Sequence, residues 1–239
     1  LKAADSNKDQ TYFLHAVSAD ALAETVFPLG GLHKADVRRI AKQQGLAVHD
    51  KKDSTGICFI GERPFREFLS TYLPARPGPI LTPAGKELGR HHGLMYYTLG
   101  QRQGLGIGGR SDAGDEPWYV VDKYVEKNAL IVDQGDSPLL LSDELVASEP
   151  SWIGHPPDNL DAGLRCTARI RYRQADQDCT VRRALDDRLT VRFDEPQRAA
   201  APGQYIVFYQ GDRCLGGAAI ETLKRRADAA QAVPESTIS

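Results

Sequence analysis

Apolar and polar positions alternate with a period of two through the C-terminal part of the chain, and with a period of three to four near its start. Within Leu164–Arg173 the two sides separate cleanly. Cys166, Ala168, Ile170 and Tyr172 fall on one face, and Arg165, Thr167, Arg169, Arg171 and Arg173 on the other, the pattern of a half-buried strand. Further strands are predicted over 179–184, 188–194, 204–210 and 213–221, with turns at Asp186-Asp187 and Gly211-Asp212. Strands at such short, regular intervals predict a small antiparallel β-barrel or sandwich. Towards the N-terminus, Ser18 caps a helix through Ala19 to Val26 that stops before Pro28. A second helix over Lys34–Gln44 carries a stripe of Val37, Ile40 and Ala41 and ends at Gly45. Pro64 opens a third, with Phe65, Phe68, Leu69 and Tyr72 on one face for core packing, and Pro74 closes it.

The proline-rich stretch from Pro74 to Pro79 is a connector into a strand-rich region. Leu81–Gly89 predicts a hairpin around Pro-Ala-Gly. Trp118–Tyr124 and 129–133 predict a second, joined near Glu126–Asn128. Between them runs a glycine-rich segment over 96–109. It superficially offers a dinucleotide fingerprint, but no helix and no βαβ unit follow, so a dinucleotide site is rejected. A mobile loop touching a substrate backbone and a plain surface loop both remain open for it.

Composition narrows the function class. Of 239 residues, 41% are apolar and 26% charged, ordinary values for a globular protein, and no apolar run approaches the roughly 20 residues that span a bilayer. A net charge of −2 does not announce a nucleic-acid binder. Local charge is different: 164–198 holds nine arginines against six acids. A row of guanidinium groups on a rigid strand suits phosphate. The alternative is a solvated face paired with Asp176, Asp178, Asp186 and Asp187. The four cysteines, Cys58, Cys166, Cys179 and Cys214, form no Cys-x-x-Cys pair, so neither a metal site nor a disulfide framework is expected, and a reducing cytoplasm fits. The chain starts at Leu1 and its one methionine is Met95, so it is expected to be the C-terminal piece of a longer protein.

One stretch points to covalent chemistry. Lys51 to Gly61 sets Cys58 between two glycines, behind two lysines and an Asp-Ser-Thr cluster. Nearby positive charge and oriented N–H groups favour the thiolate. Spacing alone favours a buried cysteine in a short apolar strand over 57–60.

Several segments in order resemble one family: Lys8–Leu14, Lys51–Arg63, Gly93–Gly109, Glu116–Asp122, Arg171–Gln174, Phe193–Pro196, Pro202–Gln204 and Cys214–Gly217. They look like the bacterial tRNA-specific 2-thiouridylases, formerly labelled tRNA (5-methylaminomethyl-2-thiouridylate) methyltransferases. The resemblance implies an α+β multidomain fold. Residues 1–62 would be the remainder of an α/β ATP-pyrophosphatase domain of the adenine nucleotide α-hydrolase type, 63–143 a small β-rich central domain, 144–225 an antiparallel β-barrel for tRNA, and 226–239 a flexible tail. It implies ATP-dependent 2-thiolation of the wobble uridine in tRNAs for lysine, glutamate and glutamine, through an adenylated uridine and a cysteine persulfide. A relay protein or a cysteine desulfurase would be the sulfur donor. By the same resemblance Cys58 is the persulfide carrier, and Lys8, Asp9, Gln10, Arg171, Tyr172 and Gln204 are tRNA contacts. Tyr172 lies on the apolar side of its alternation, so core packing competes there. The family's Ser-Gly-Gly-x-Asp-Ser loop for ATP is absent from this sequence, and its second catalytic cysteine is expected upstream of Leu1. The chain alone is therefore expected to be inactive, or to serve only as an RNA-binding module.

Overall fold

The protein is described here by a computed structural model covering residues 1–51, 72, 75–108 and 114–225. Among the described residues, α1 (Thr11–Leu14), α2 (Ala19–Ala23) and α3 (Lys34–Gln43) come first. The described strands that follow are β1 (Gly78–Leu81), β2 (Glu87–His91), β3 (Trp118–Tyr124), β4 (Ala129–Gln134), β5 (Leu141–Trp152), β6 (Leu164–Arg169), β7 (Gln177–Arg183), β8 (Leu189–Arg198), β9 (Tyr205–Gln210) and β10 (Arg213–Arg225). The chain divides into two compact units. One gathers Leu1–Ser54, Glu144–Glu195 and Pro202–Leu223; the other holds Thr55–Asp143, Pro196–Ala201 and Lys224–Ser239. Among the described residues no helix is long and apolar enough to cross a membrane.

In the first unit, six strands close a barrel in the order β10-β5-β8-β7-β6-β9. Register explains the predicted alternation. Leu164 pairs with Val181 and Val181 with Val191; Cys166 pairs with Cys179 and Cys179 with Phe193. Every residue in these two rows is buried, so each row is a layer of the barrel interior, as the two-residue period of a strand requires. Cys166 and Cys179 lie 3.8 Å apart as thiols, and the Cys166 hydrogen bond and burial together push the Cys179 thiol far above its ordinary value. Both behave as small apolar residues. Gly216 must be glycine: its φ is +144°, and a Cβ there would sit 2.1 Å from the Ser151 carbonyl oxygen.

Three expectations need correction in this unit. The basic strand ends at Arg169 rather than Arg173. Gln174 folds back so that its Oε1 accepts the Ile170 N–H at 2.8 Å, and its own N–H reaches Arg171 O. A side chain that takes a ladder donor starts a turn, so Arg171, Tyr172 and Arg173 project from a turn. The first predicted helix stops at Ala23 rather than Val26, because Thr25 turns its hydroxyl back to Ala21 O at 2.7 Å. The long strand β5 was not anticipated. Its two acids after Ser142, Pro150 and the irregular spacing of buried Ser142, Leu145 and Ala147 hide its period. The Ser18 cap is present, accepting from Ala21 N, and Gly45 ends α3 with φ +69°.

The second unit is built on a four-stranded sheet, β2-β1-β4-β3, in which β1 and β4 run parallel. Ala129, Leu130, Ile131 and Val132 of β4 are all buried, so this inner strand has both faces covered. Leu130 and Val132 join Ile80, Leu88 and Val120; Ala129 and Ile131 join Leu81, Val121 and Leu139. Up to Gly108 the glycine-rich run is more than a plain surface loop, because part of it enters the core. Tyr97, Leu105 and Ile107 plug the first of these clusters. Gly104 and Gly106, at φ +79° and +68°, supply the left-handed turns that aim Leu105 and Ile107 inward. The rest of that run, the predicted 57–60 strand, most of the predicted helix at Pro64, and the tail from 226 lie outside the described residues.

His91 clamps this sheet. Gly93 N–H donates to its Nδ1 at 3.0 Å, so the other ring nitrogen carries the proton and donates to Asn128 O at 2.9 Å. Burial pushes the imidazole below 6.5, against the hydrogen bond to Asn128; the nearby charges of Arg90 and His92 add to the lowering. The unfolded chain therefore takes up the proton first. Stability is complete above pH 6.5 and declines as pH falls from there through the depressed folded value. Thermal melts across this range are expected to show that decline, and His91→Gln, which keeps a donor but does not titrate, is expected to flatten it. An identical slope in the variant would refute the clamp.

Candidate nucleic-acid interface

Short α1 lies against the barrel beside the β6 turn, and buried charge holds it there. Asp9, 3% exposed, accepts from Thr11 N–H at 3.2 Å, Thr11 Oγ1 at 2.8 Å and Arg169 Nη1 at 3.1 Å. Arg169 Nε also donates to Asp176 Oδ1 at 2.6 Å, and Lys2 closes on the other Asp176 oxygen. Both cations lie over the buried Tyr209 ring, at 4.9 Å for Arg169 and 4.5 Å for Lys2. Tyr209 OH sits 3.3 Å from Thr11 Oγ1. Burial raises the Asp176 carboxyl, but hydrogen bonds from Lys2 and Arg169 outweigh it and hold the group below its ordinary value. Burial raises the Tyr209 phenol.

A second set of contacts fixes the aromatic side of α1. Tyr12 OH reaches Tyr205 O at 2.9 Å and Ile170 O at 3.1 Å. His15 Nδ1 donates to Tyr12 O at 2.7 Å, and its ring packs on Tyr205 at 4.9 Å. Gly217 leaves the room for His15: a Cβ there would lie 2.5 Å from the imidazole. On the outside, Gln10 Nε2 donates to Tyr172 OH at 2.8 Å. Phe13 packs on Tyr172 with ring centres 4.6 Å apart.

The sequence-predicted residues thus divide. Gln10 and Tyr172 are brought into direct contact, and exposed Arg171 precedes Tyr172 on the same turn. Gln204 adjoins Tyr205, and its buried Oε1 has no hydrogen-bond partner among the described residues, an acceptor position open to a ligand donor. Asp9 faces inward and is occupied by Thr11 and Arg169, while Lys8 is half-buried beside it. Cys58 lies outside the described residues. Two arginines of the row, Arg165 and Arg169, are committed to carboxylates, and so is Arg188 before β8. Arg165 grips Asp194 with both terminal nitrogens and sits 3.9 Å from Asp178; Arg188 is bidentate to Glu221 at 2.8 and 3.0 Å, with Asp186 at 3.5 Å. The phosphate-facing reading of β6 gives way to paired charge at those positions. Phe13 and Tyr209 were not singled out from sequence, and Arg169 was read only as one of the phosphate-facing row. The one signal for Phe13 was its place in the quoted Lys8–Leu14 run. Among the described residues no three His, Cys, Asp or Glu side chains gather as a metal site.

Three family descriptions match in succession: a tRNA methyl transferase HUP domain over residues 1–62, a tRNA methyl transferase PRC-barrel domain over 66–134, and an aminomethyltransferase beta-barrel domain over 142–220. Curated relatives agree. Proteins named tRNA-specific 2-thiouridylase MnmA are 58% identical in Pseudomonas entomophila over 93% of this chain and 59% of that protein, and 58% identical in Marinobacter nauticus over 92% and 56%. The namesake from Methylococcus capsulatus is 57% identical over 96% of this chain and 63% of its own length. The chain spans about three fifths of the length of these relatives.

Proposed function

We propose, from the premise that this chain belongs to the tRNA-specific 2-thiouridylase family, that the full-length protein thiolates the wobble uridine of the tRNAs for lysine, glutamate and glutamine in the cytoplasm. The uridine oxygen at carbon-2 is adenylated at the expense of ATP, a step assigned to a nucleotide loop that this sequence does not contain. Cys58 carries the sulfur as a persulfide received from a relay protein or a desulfurase. Its outer sulfur attacks carbon-2 and AMP leaves with the oxygen; the thiolate of the family's second catalytic cysteine then attacks the Cys58 sulfur, which breaks the S–S bond, frees the 2-thiouridine and leaves a disulfide that a thiol reductant reopens. The barrel, through the turn at Arg171–Gln174 and the Lys8–Gln10 segment, holds the RNA. The observation that carries this reading is the ordered match of all three domain descriptions together with close identity to proteins of one name.

The interface supports a narrower second reading, RNA binding without catalysis by this chain alone. Gln10, Tyr172 and their supports lie on a single unit that includes the closed barrel. Titrating labelled lysine tRNA into the chain at several salt concentrations tests it. Binding is expected to weaken steeply as salt rises, as phosphate contacts dictate. No binding at low salt would remove the interface from both readings.

A further inference from the structure

We infer that Phe13 is the outer face of a stacking platform for an unpaired nucleobase, built with Tyr172 and flanked by Arg173. This rests on the reading above that the partner is tRNA, and adds a residue and a mode of contact to it.

Phe13 is 56% exposed although it belongs to an element whose neighbours Thr11 and His15 are buried. Its ring is not loose. Tyr12 meets it edge-on at 5.5 Å, and Tyr172 packs on it at 4.6 Å with 39° between the planes. Both supports are themselves held. Tyr12 OH is bound to two backbone carbonyls, and Tyr172 OH receives the Gln10 amide. One face of Phe13 is therefore braced, and much of the ring remains open to solvent. An exposed aromatic fixed in this way costs little to order on binding and offers a π-face that any base accepts.

The charge around it selects the occupant. Arg173 lies over the Tyr172 ring, 5.8 Å from its centre, and Arg171 is exposed on the same turn. Arg165 and Arg169 of the same face are bound to aspartates, and Arg173 brings its guanidinium to the aromatic pair at the turn. A flat apolar ring bordered by guanidinium groups matches a base joined to its phosphates, the combination used for single-stranded RNA.

The test uses the full-length protein, a lysine tRNA transcript and inorganic polyphosphate as a base-free polyanion. Phe13→Ala is expected to weaken tRNA binding about ten-fold, the loss of one stacked base, with the salt dependence unchanged because no phosphate contact is lost. Phe13→Leu is expected to bind as weakly as Phe13→Ala. Phe13→Trp is expected to bind like the parent protein and to show fluorescence quenched by tRNA but not by polyphosphate, beyond any change in Trp118 and Trp152. Thermal melts are expected to be the same for all, since Phe13 is exposed. If the parent protein binds tRNA and Phe13→Ala or Phe13→Leu binds equally well, the platform is refuted alone. A shifted salt slope in Phe13→Ala, or loss of sulfur-donor binding with tRNA binding intact, also overturns it. If the parent protein binds no tRNA, the functional reading itself falls.

Discussion

Replacing Cys58 by serine in the full-length protein is expected to lower wobble 2-thiouridine formation by more than roughly a thousand-fold, the scale seen when a covalent nucleophile is removed. The reason is chemical. A hydroxyl cannot hold the outer sulfur that a thiolate carries in an S–S bond, so no sulfur reaches carbon-2. Affinity for tRNA should change little, because the contacts assigned to the RNA lie on the barrel turn and the Lys8–Gln10 segment. Mass spectrometry of nucleosides from tRNA incubated with each protein reads the outcome, and retained thiolation would take Cys58 out of its role.

Arg169→Ala is expected to be the most damaging change on the barrel side. It strands Asp9, which is left with only its Thr11 and backbone donors, and leaves Asp176 with Lys2 and Thr167 alone. Removing one partner of a buried ion pair costs about 3–5 kcal/mol. The Asp176 side chain is 28% exposed, which places the loss near about 3 kcal/mol. Loss is expected first where α1 meets the barrel, so hydrogen exchange should quicken in residues 1–15 before the barrel strands. Asp9→Asn with Arg169→Met should recover part of the loss, since the stranded charge on Asp9 is removed together with its partner. Acid acts on the same network. Asp176 has a depressed folded pKa, so its contribution is full above the ordinary value of 3.8 and disappears as pH falls through the lower folded value. Equal urea midpoints for Arg169→Ala and the parent protein would show that the network does not hold α1.

The barrel was legible because half-buried strands impose a period of two: Cys166, Ala168 and Ile170 face inward as their alternation foretold. Caps and stops were legible at Ser18 and Gly45 because they act locally. What depends on distant partners was not. No spacing in sequence shows that Arg169 will meet Asp9 across 160 positions, and so a row read as phosphate-facing includes arginines already bound to carboxylates. Likewise Gln174 cannot be seen to take the Ile170 N–H until the chain has turned. Leu105 and Ile107 read as loop residues because glycines surround them, yet those glycines are what let them reach the core. The site residues came from resemblance. Burial then separated Asp9, which faces inward, from Gln10 and Tyr172, which meet at the surface.

The account stands most directly on sulfur bound to Cys58. Full-length protein stopped during turnover with a sulfur donor, ATP and lysine tRNA should yield, on digestion without reductant, a Cys58 peptide heavier by one sulfur atom. Thiouridine forming while that peptide never gains sulfur, or while another cysteine gains it instead, would contradict the mechanism.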